Sequence, residues 1–350
     1  MSKYGPNEPL PPSPRSRDMY GSPEGSTYSP KMASPRIKVS PRTRRLKKWP
    51  RKDIRRMLHV VYRVGNIEES IKYYQKCLGM HILRKIDAPE DKYLTVFMGY
   101  GREDNHLAVE LTYNYGVLKY EIGTDLGHFG IAVPDVQKTL NEMREKGFLA
   151  PATTSVDLNK DVYAYIKDPD GYPFKLIQRK GMRERLWQAS YKVADIDRSI
   201  LFYQDAYGMF LLSRNDYPSS QKTFAYLGYN LDDTKATVIE LECNYGVKEY
   251  TKGTGYVQMG ISTDDVYETA YAAELQHART IRPPGPLPGI PTKIYSCLDP
   301  DGWKTVFIDN YDFARELEPA AFKSRVTTNV ILETGEAKRC RPYDFTLGND

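Results

Sequence analysis

His59, Glu110, His128 and Lys175 occupy the same places in one half of this chain that Gln188, Glu240, Gln258 and Val306 occupy in the other. Imidazole nitrogens and carboxylate or amide oxygens are the donors that hold divalent ions such as zinc. Each set therefore reads as a metal-ligand quartet whose fourth member has been exchanged. Lysine is the sharper exchange. As an ammonium it offers three donors and no acceptor, so it repels a divalent cation. As a neutral amine, favoured by burial and nearby positive charge, it would be a ligand and a base on a long stem. The bland alternative is two packed histidines and two glutamates held in ion pairs.

The quartets sit in a duplicated cassette. LHVVYRVGNIEESIKYYQKCLGM matches WQASYKVADIDRSILFYQDAYGM, VELTYNYGV matches IELECNYGV, and KDPDGYPFKLIQ matches LDPDGWKTVFID. The offset is 129 residues at His59, 130 at Glu110 and 131 at the DPDG turns. So long a period means duplicated domains and not a solenoid. LHVVYRV alternates as a strand does. The next helix starts at Asn66, with Glu69 three residues on as in a capping box, and ends at Gly79. TVFMGYG and HLAVELTY supply strands, HFGIAV and DVQKTLNEMREKG restart the pattern, and VYAYIKD and FKLIQ flank the Asp-Pro-Asp-Gly turn. The expected fold is α+β, with four βαβββ units in tandem domains whose sheets curve into half-barrels. The expected boundaries are an arm over 1–56, domains over 57–180 and 181–316, and a tail over 317–350.

ELTYNYGV, GTDLGHFGIAV, DPDGYPFKLIQ, GPLPGIPTK and LDPDGWKTVFIDN together resemble the two-domain, plant-type glyoxalase I, or lactoylglutathione lyase, of the vicinal oxygen chelate superfamily. The resemblance covers residues 57–316 and rests on several segments in order. It implies isomerisation of the hemithioacetal of methylglyoxal and glutathione to S-lactoylglutathione. It also implies a zinc or nickel ion and a carboxylate that moves a proton between adjacent carbons. Carried over by position, His59, Glu110 and His128, with second-copy counterparts Gln188, Glu240 and Gln258, match metal ligands. Lys175 stands where the family's last glutamate is both ligand and base. Arg63 and Asn114, with counterparts Lys192 and Asn244, match residues that contact glutathione, although Asn114 and Asn244 equally suit a turn. The family joins the first half of one domain to the second half of the other, but neither pairing restores a fourth carboxylate. The first-domain lid segment TTSVDLNKDVY carries Asp157 and Asp161, which disfavour an anionic substrate, whereas GPLPGIPTKIY keeps the family's form.

Charge is divided unevenly. Residues 1–56 hold 15 Lys and Arg against 4 Asp and Glu, so the rest of this +5 chain is net acidic. With ten prolines and five Ser-Pro steps, at Ser13, Ser22, Ser29, Ser34 and Ser40, that arm is expected to be disordered. Its basic end, RTRRLKKWPRKDIRR, would suit an acidic partner such as the microtubule or other cytoskeleton, nucleic acid or anionic lipid. Phosphate on the serines would offset the charge, and a solvated linker without partner is the plain alternative. Four cysteines without CxxC spacing point to a reducing compartment, and no apolar run spans a bilayer, so a cytoplasmic location is expected. Lys175 and the altered lid together favour a degenerate glyoxalase, a pseudoenzyme kept as a binding module and tethered by its arm. An active lactoylglutathione lyase, or a metal- or thiol-metabolite-binding sensor, are the alternatives.

Overall fold

The computed structural model describes residues 40–157, 160–287, 290–318, 329–331 and 337–338. The first copy begins with β1 (Met57–Arg63), α2 (Ile67–Lys76), β2 (His81–Ala88), β3 (Tyr93–Gly99) and β4 (Ala108–Asn114). It continues with β5 (Leu126–Val133), α3 (Val136–Glu145), β6 (Ser155–Val156), β7 (Val162–Lys167) and β8 (Pro173–Gln178). The second copy repeats this as β9 (Leu186–Lys192), α4 (Ile196–Asp205), β10 (Phe210–Tyr217), β11 (Lys222–Gly228) and β12 (Val238–Asn244). It closes with β13 (Tyr256–Thr263), α5 (Val266–Glu274), β14 (Arg279–Leu287), β15 (Ile290–Leu298) and β16 (Lys304–Asp309). The expected α+β units are all present. Each of the four unit helices is N-capped by a side chain, from Asn66, Asp135, Asp195 and Asp265.

The units pair crosswise. A ten-stranded sheet runs β14-β15-β16-β13-β1-β4-β3-β2, with β17 (Asn329–Ile331) and β18 (Ala337–Lys338) added at the β2 edge. An eight-stranded sheet runs β10-β11-β12-β9-β5-β8-β7-β6. Each sheet thus takes one unit from each copy, joined where β1 meets β13 and where β9 meets β5. One continuous aromatic core locks the crossing. Tyr62 stacks on Phe129 at 5.2 Å, and the hydroxyls of Tyr191 and Tyr256 are 2.7 Å apart.

Two segments depart from expectation. The basic stretch includes α1 (Pro41–Lys52), capped by Ser40 and docked on α5, where a disordered arm is expected as far as residue 56. Leu46, Trp49 and Pro50 fall on one helical face, and the Trp49 indole donates to Thr269 Oγ1 at 3.0 Å. Arg45 pairs with Glu268. Past the second copy, α6 (Asn310–Glu316) lies on β15 and β16, with Phe313 seated among Leu58, Ile294, Val306 and Ile308. The arm's Ser-Pro steps at Ser13, Ser22, Ser29 and Ser34 and the ending CRPYDFTLGND lie outside the described residues, as do positions 158–159 and 288–289 of the two lids. No helix among the described residues is long and apolar enough to cross a membrane.

Candidate active site

Crossed pairing makes two clefts. In the ten-stranded sheet, which forms cleft A, β1 contributes His59, β4 Glu110, β13 Gln258 and β16 Val306. In the eight-stranded sheet, which forms cleft B, β9 contributes Gln188, β12 Glu240, β5 His128 and β8 Lys175. Register puts each set on one face. Opposite His59 lies Gly260, which in turn lies beside Val306. Gln188 likewise lies opposite Gly130, and Gly130 beside Lys175. Both central glycines are required for space. A Cβ on Gly260 would lie 2.6 Å from His59 Nε2, and one on Gly130 would lie 2.6 Å from the Gln188 Cβ.

The two sets differ in how their polar atoms are satisfied. In cleft A, His59 Nε2 is 3.6 Å from Glu110 Oε2, and no member of the set is more than 4% exposed. Both ring nitrogens of His59 and both amide atoms of Gln258 are buried without a hydrogen bond. Burial, with Arg84 and Arg56 nearby, pushes His59 down to about 3, so its ring is neutral. Burial raises the Glu110 carboxyl to about 8 against the pull of Arg84. Four orphaned buried donors and acceptors beside a carboxylate are costly unless something binds them. They fit a divalent ion on three protein ligands with an open position. Among the described residues no group of three His, Cys, Asp or Glu converges in this way, because each set is completed by a glutamine amide.

Cleft B is satisfied from within. Gln188 Oε1 accepts from His128 Nε2 at 3.2 Å, and the Gln188 amide nitrogen donates to Glu240 Oε2 at 2.5 Å. Ser190 Oγ donates to the other oxygen of Glu240 at 2.7 Å. Burial alone would raise the Glu240 carboxyl. The charges of His128 and Lys175 and the hydroxyls of Ser190 and Tyr226 outweigh it and hold that group below its ordinary value. Burial lowers His128, and Lys175 adds to this. Lys175 lies under the Tyr163 ring, its Nζ 4.9 Å from the centroid. An ammonium thus stands where the other cleft would take an ion.

Three charged groups of cleft A escape sequence reasoning. Arg84 lies 3.7 Å over the Phe97 ring and donates to Glu103 Oε1 at 2.8 Å. Glu316, from α6, is buried and raises the Arg84 guanidinium together with Glu103 and Glu110, which outweighs burial. Strand register was the available signal for Arg84, since it pairs with Phe97 and Phe97 with Glu110. The expected glutathione contacts are engaged elsewhere. Arg63 donates to the Thr254 carbonyl at 2.7 Å and Asn114 to Tyr120 Oη at 2.9 Å. Lys192 donates to the Thr124 carbonyl, and Asn244 to Tyr250 Oη at 3.1 Å.

Residues 56–176 and 185–307 both match the Glyoxalase/Bleomycin resistance protein/Dioxygenase superfamily. A probable chloroplastic lactoylglutathione lyase of Arabidopsis thaliana is 54% identical over 271 residues, 77% of each chain. The lactoylglutathione lyase of Oryza sativa subsp. japonica is 50% identical over 283 residues, 77% of this chain and 94% of its own. The crystal structure of glyoxalase I from Zea mays matches with a TM-score of 0.75 at 50% identity, covering 77% of this chain and 98% of that one. Relatives this similar over this length are named as active enzymes. That overturns the expectation of a non-catalytic module, which rested on Lys175 and the altered first-domain lid. With both copies matched and most of its length aligned, the chain belongs to the two-domain plant glyoxalase I family.

Proposed function

We propose that the chain is a divalent-metal-dependent lactoylglutathione lyase that works in cleft A, with the hemithioacetal of methylglyoxal and glutathione as substrate. The observation that carries this is the set of unsatisfied buried atoms on His59 and Gln258 around Glu110. His59, Glu110 and Gln258 would hold the ion, and zinc and nickel both suit this nitrogen and oxygen donor set. When bound, it would supply Lewis-acid stabilisation of charge on the substrate's adjacent oxygens.

The overall change moves one proton from a carbon to its neighbour and leaves the atom count unchanged. Glu110 is the carboxylate of the cleft A set, and its proton affinity, lifted by burial, falls where a general base works best near neutral pH. Neutral His59 keeps a lone pair for coordination. Arg84, buried against Phe97 in the neighbouring row, supplies a fixed positive charge to balance the carboxylates of the cleft.

The test is turnover of the hemithioacetal by metal-loaded protein, followed as thioester absorbance, with metal content measured on the same samples. Glu110→Ala should lose bound metal and about 10²–10⁴-fold in kcat, while His128→Ala keeps both. No turnover by the loaded wild type removes this reading. Loss on His128→Ala with retention on Glu110→Ala moves the reaction to cleft B.

A further inference from the structure

Lys175 is only 8% exposed, and among the described residues no hydrogen bond or ion pair engages its ammonium. The face of Tyr163 lies against it, and its charge acts on Glu240 without an ion-pair contact. An ammonium carries three strong donors, which need acceptors from protein, water or a ligand. Here the missing acceptor has a place to sit. Lys175 lines a cavity of about 290 Å³ on the cleft B face, together with Gln188, Trp187 and Tyr226. Between Lys175 and Gln188 in the sheet lies Gly130, whose missing side chain leaves room for the Gln188 side chain to lean toward Lys175. The Gln188 amide spends one N–H on Glu240 and has a second left to donate.

We infer that cleft B is a metal-free binding site for a small organic monoanion, a short 2-oxo- or 2-hydroxycarboxylate. Its carboxylate meets the Lys175 ammonium, and its neighbouring oxygen meets the free N–H of the Gln188 amide. Apolar surface from Trp187, Ile177 and Leu212 takes the hydrocarbon part. The rim limits the charge of the ligand. Asp161 and Asp233 share Arg179, at 3.5 and 2.7 Å, and Asp157 lies beside them, so a phosphate ester or other dianion meets a net negative entrance. A metal is excluded by the same chemistry, since Lys175 sets a positive charge in the cleft and Glu240 already accepts from Gln188 and Ser190. This site stands whether or not the lyase reaction runs in cleft A.

Pyruvate and D-lactate are the probes, titrated calorimetrically into the full-length protein with and without chelator. One saturable site of unchanged affinity in both conditions is expected, with inorganic phosphate binding at least tenfold more weakly. Lys175→Met should weaken binding at least tenfold and Lys175→Arg should restore part of it, while His59→Ala leaves it unchanged. Trp187→Phe, which keeps an aromatic ring in the wall, should remove any ligand-induced change in tryptophan fluorescence at the cost of a severalfold loss of calorimetric affinity, which locates the ligand even if Lys175→Met does not fold. The inference is overturned by the absence of saturable uptake up to about 10 mM, the weak end of specific affinity. It is overturned equally by loss of binding on chelation or on His59→Ala.

Discussion

Cleft A and cleft B are built on the same rows of strand positions, yet each keeps its buried cation on the opposite side. In cleft A the cation is Arg84, across Phe97 from Glu110, and the fourth ligand position is Val306. In cleft B the place of Arg84 falls to Ser213, which pairs with Tyr226 as Arg84 pairs with Phe97, and the cation is Lys175 in the place of Val306. Arg84 is taken up by Glu103, so the histidine and glutamine of cleft A remain unsatisfied. Lys175 has no such carboxylate in contact, so its charge reaches Glu240 and lets that cleft close its own hydrogen bonds. Moving one positive charge across a sheet thus separates a cleft that calls for an ion from one that supplies its own.

The strongest way to break this comparison is to remove the supplied charge. Lys175→Glu would set a second buried carboxylate near Glu240. Chelated protein should lose about 3–5 kcal/mol of stability in denaturant titrations, and metal-loaded protein should gain about one ion per chain and recover. Unchanged metal content would mean that Lys175 is not what keeps cleft B free of metal.

The two central glycines give a finer comparison. Gly260→Ala and Gly130→Ala each force a Cβ to within 2.6 Å of a neighbour, and each should cost about 1–3 kcal/mol. Only Gly260→Ala should also weaken metal binding, because only its neighbour is His59. Equal effects on metal affinity would erase the distinction between the clefts.

The smallest expected effect is a pH dependence of the chelated protein. Folded Glu110 keeps its proton up to about 8, whereas the unfolded group loses it near 4.5, so its contribution to stability falls as pH rises between these values. His59 acts in the opposite sense, since its folded value of about 3 lies below the ordinary 6.5, and its contribution is lost as pH falls through that window. From 6.5 to 8 the His59 contribution no longer changes, and Glu110 lowers stability by at most about 1.4 kcal/mol per pH unit, with Asp168, raised by burial to about 7, adding to the decline below that value. Glu110→Gln should flatten that slope. A slope that persists in the variant belongs to another group.

The repeat and the four units were legible, and so were the residues that come to share a face in each cleft, because strand alternation and the DPDG turns fix which side chains point the same way. The partition into two clefts was implied only by the family resemblance and not by the residues themselves. His59 and Gln258 are far apart in sequence, and the aromatic contacts that choose the crossed arrangement, such as Tyr62 on Phe129, carry no local signature. Arg84 reads as one more cation in a half-exposed edge strand, and only its register with Phe97 and Glu110 shows where it belongs. Lys175 was read as incompatible with a metal. Its effect was wrongly extended to the whole molecule, since it reaches one cleft and leaves the other untouched. The docking of α1 had a visible cue, the Leu46, Trp49 and Pro50 stripe, which the surrounding basic and proline-rich composition masked.

The crosswise joining of β1 to β13 and of β9 to β5 means that neither cassette owns a finished pocket. A fragment stopping near residue 180 would bare the flanks of both its inner strands, each lacking the neighbour it was shaped for. Two such fragments could answer each other's need by a twofold exchange. The tandem chain is in that sense a couple bound by a tether, and a lesion in either copy is felt in a chamber that the other copy half builds.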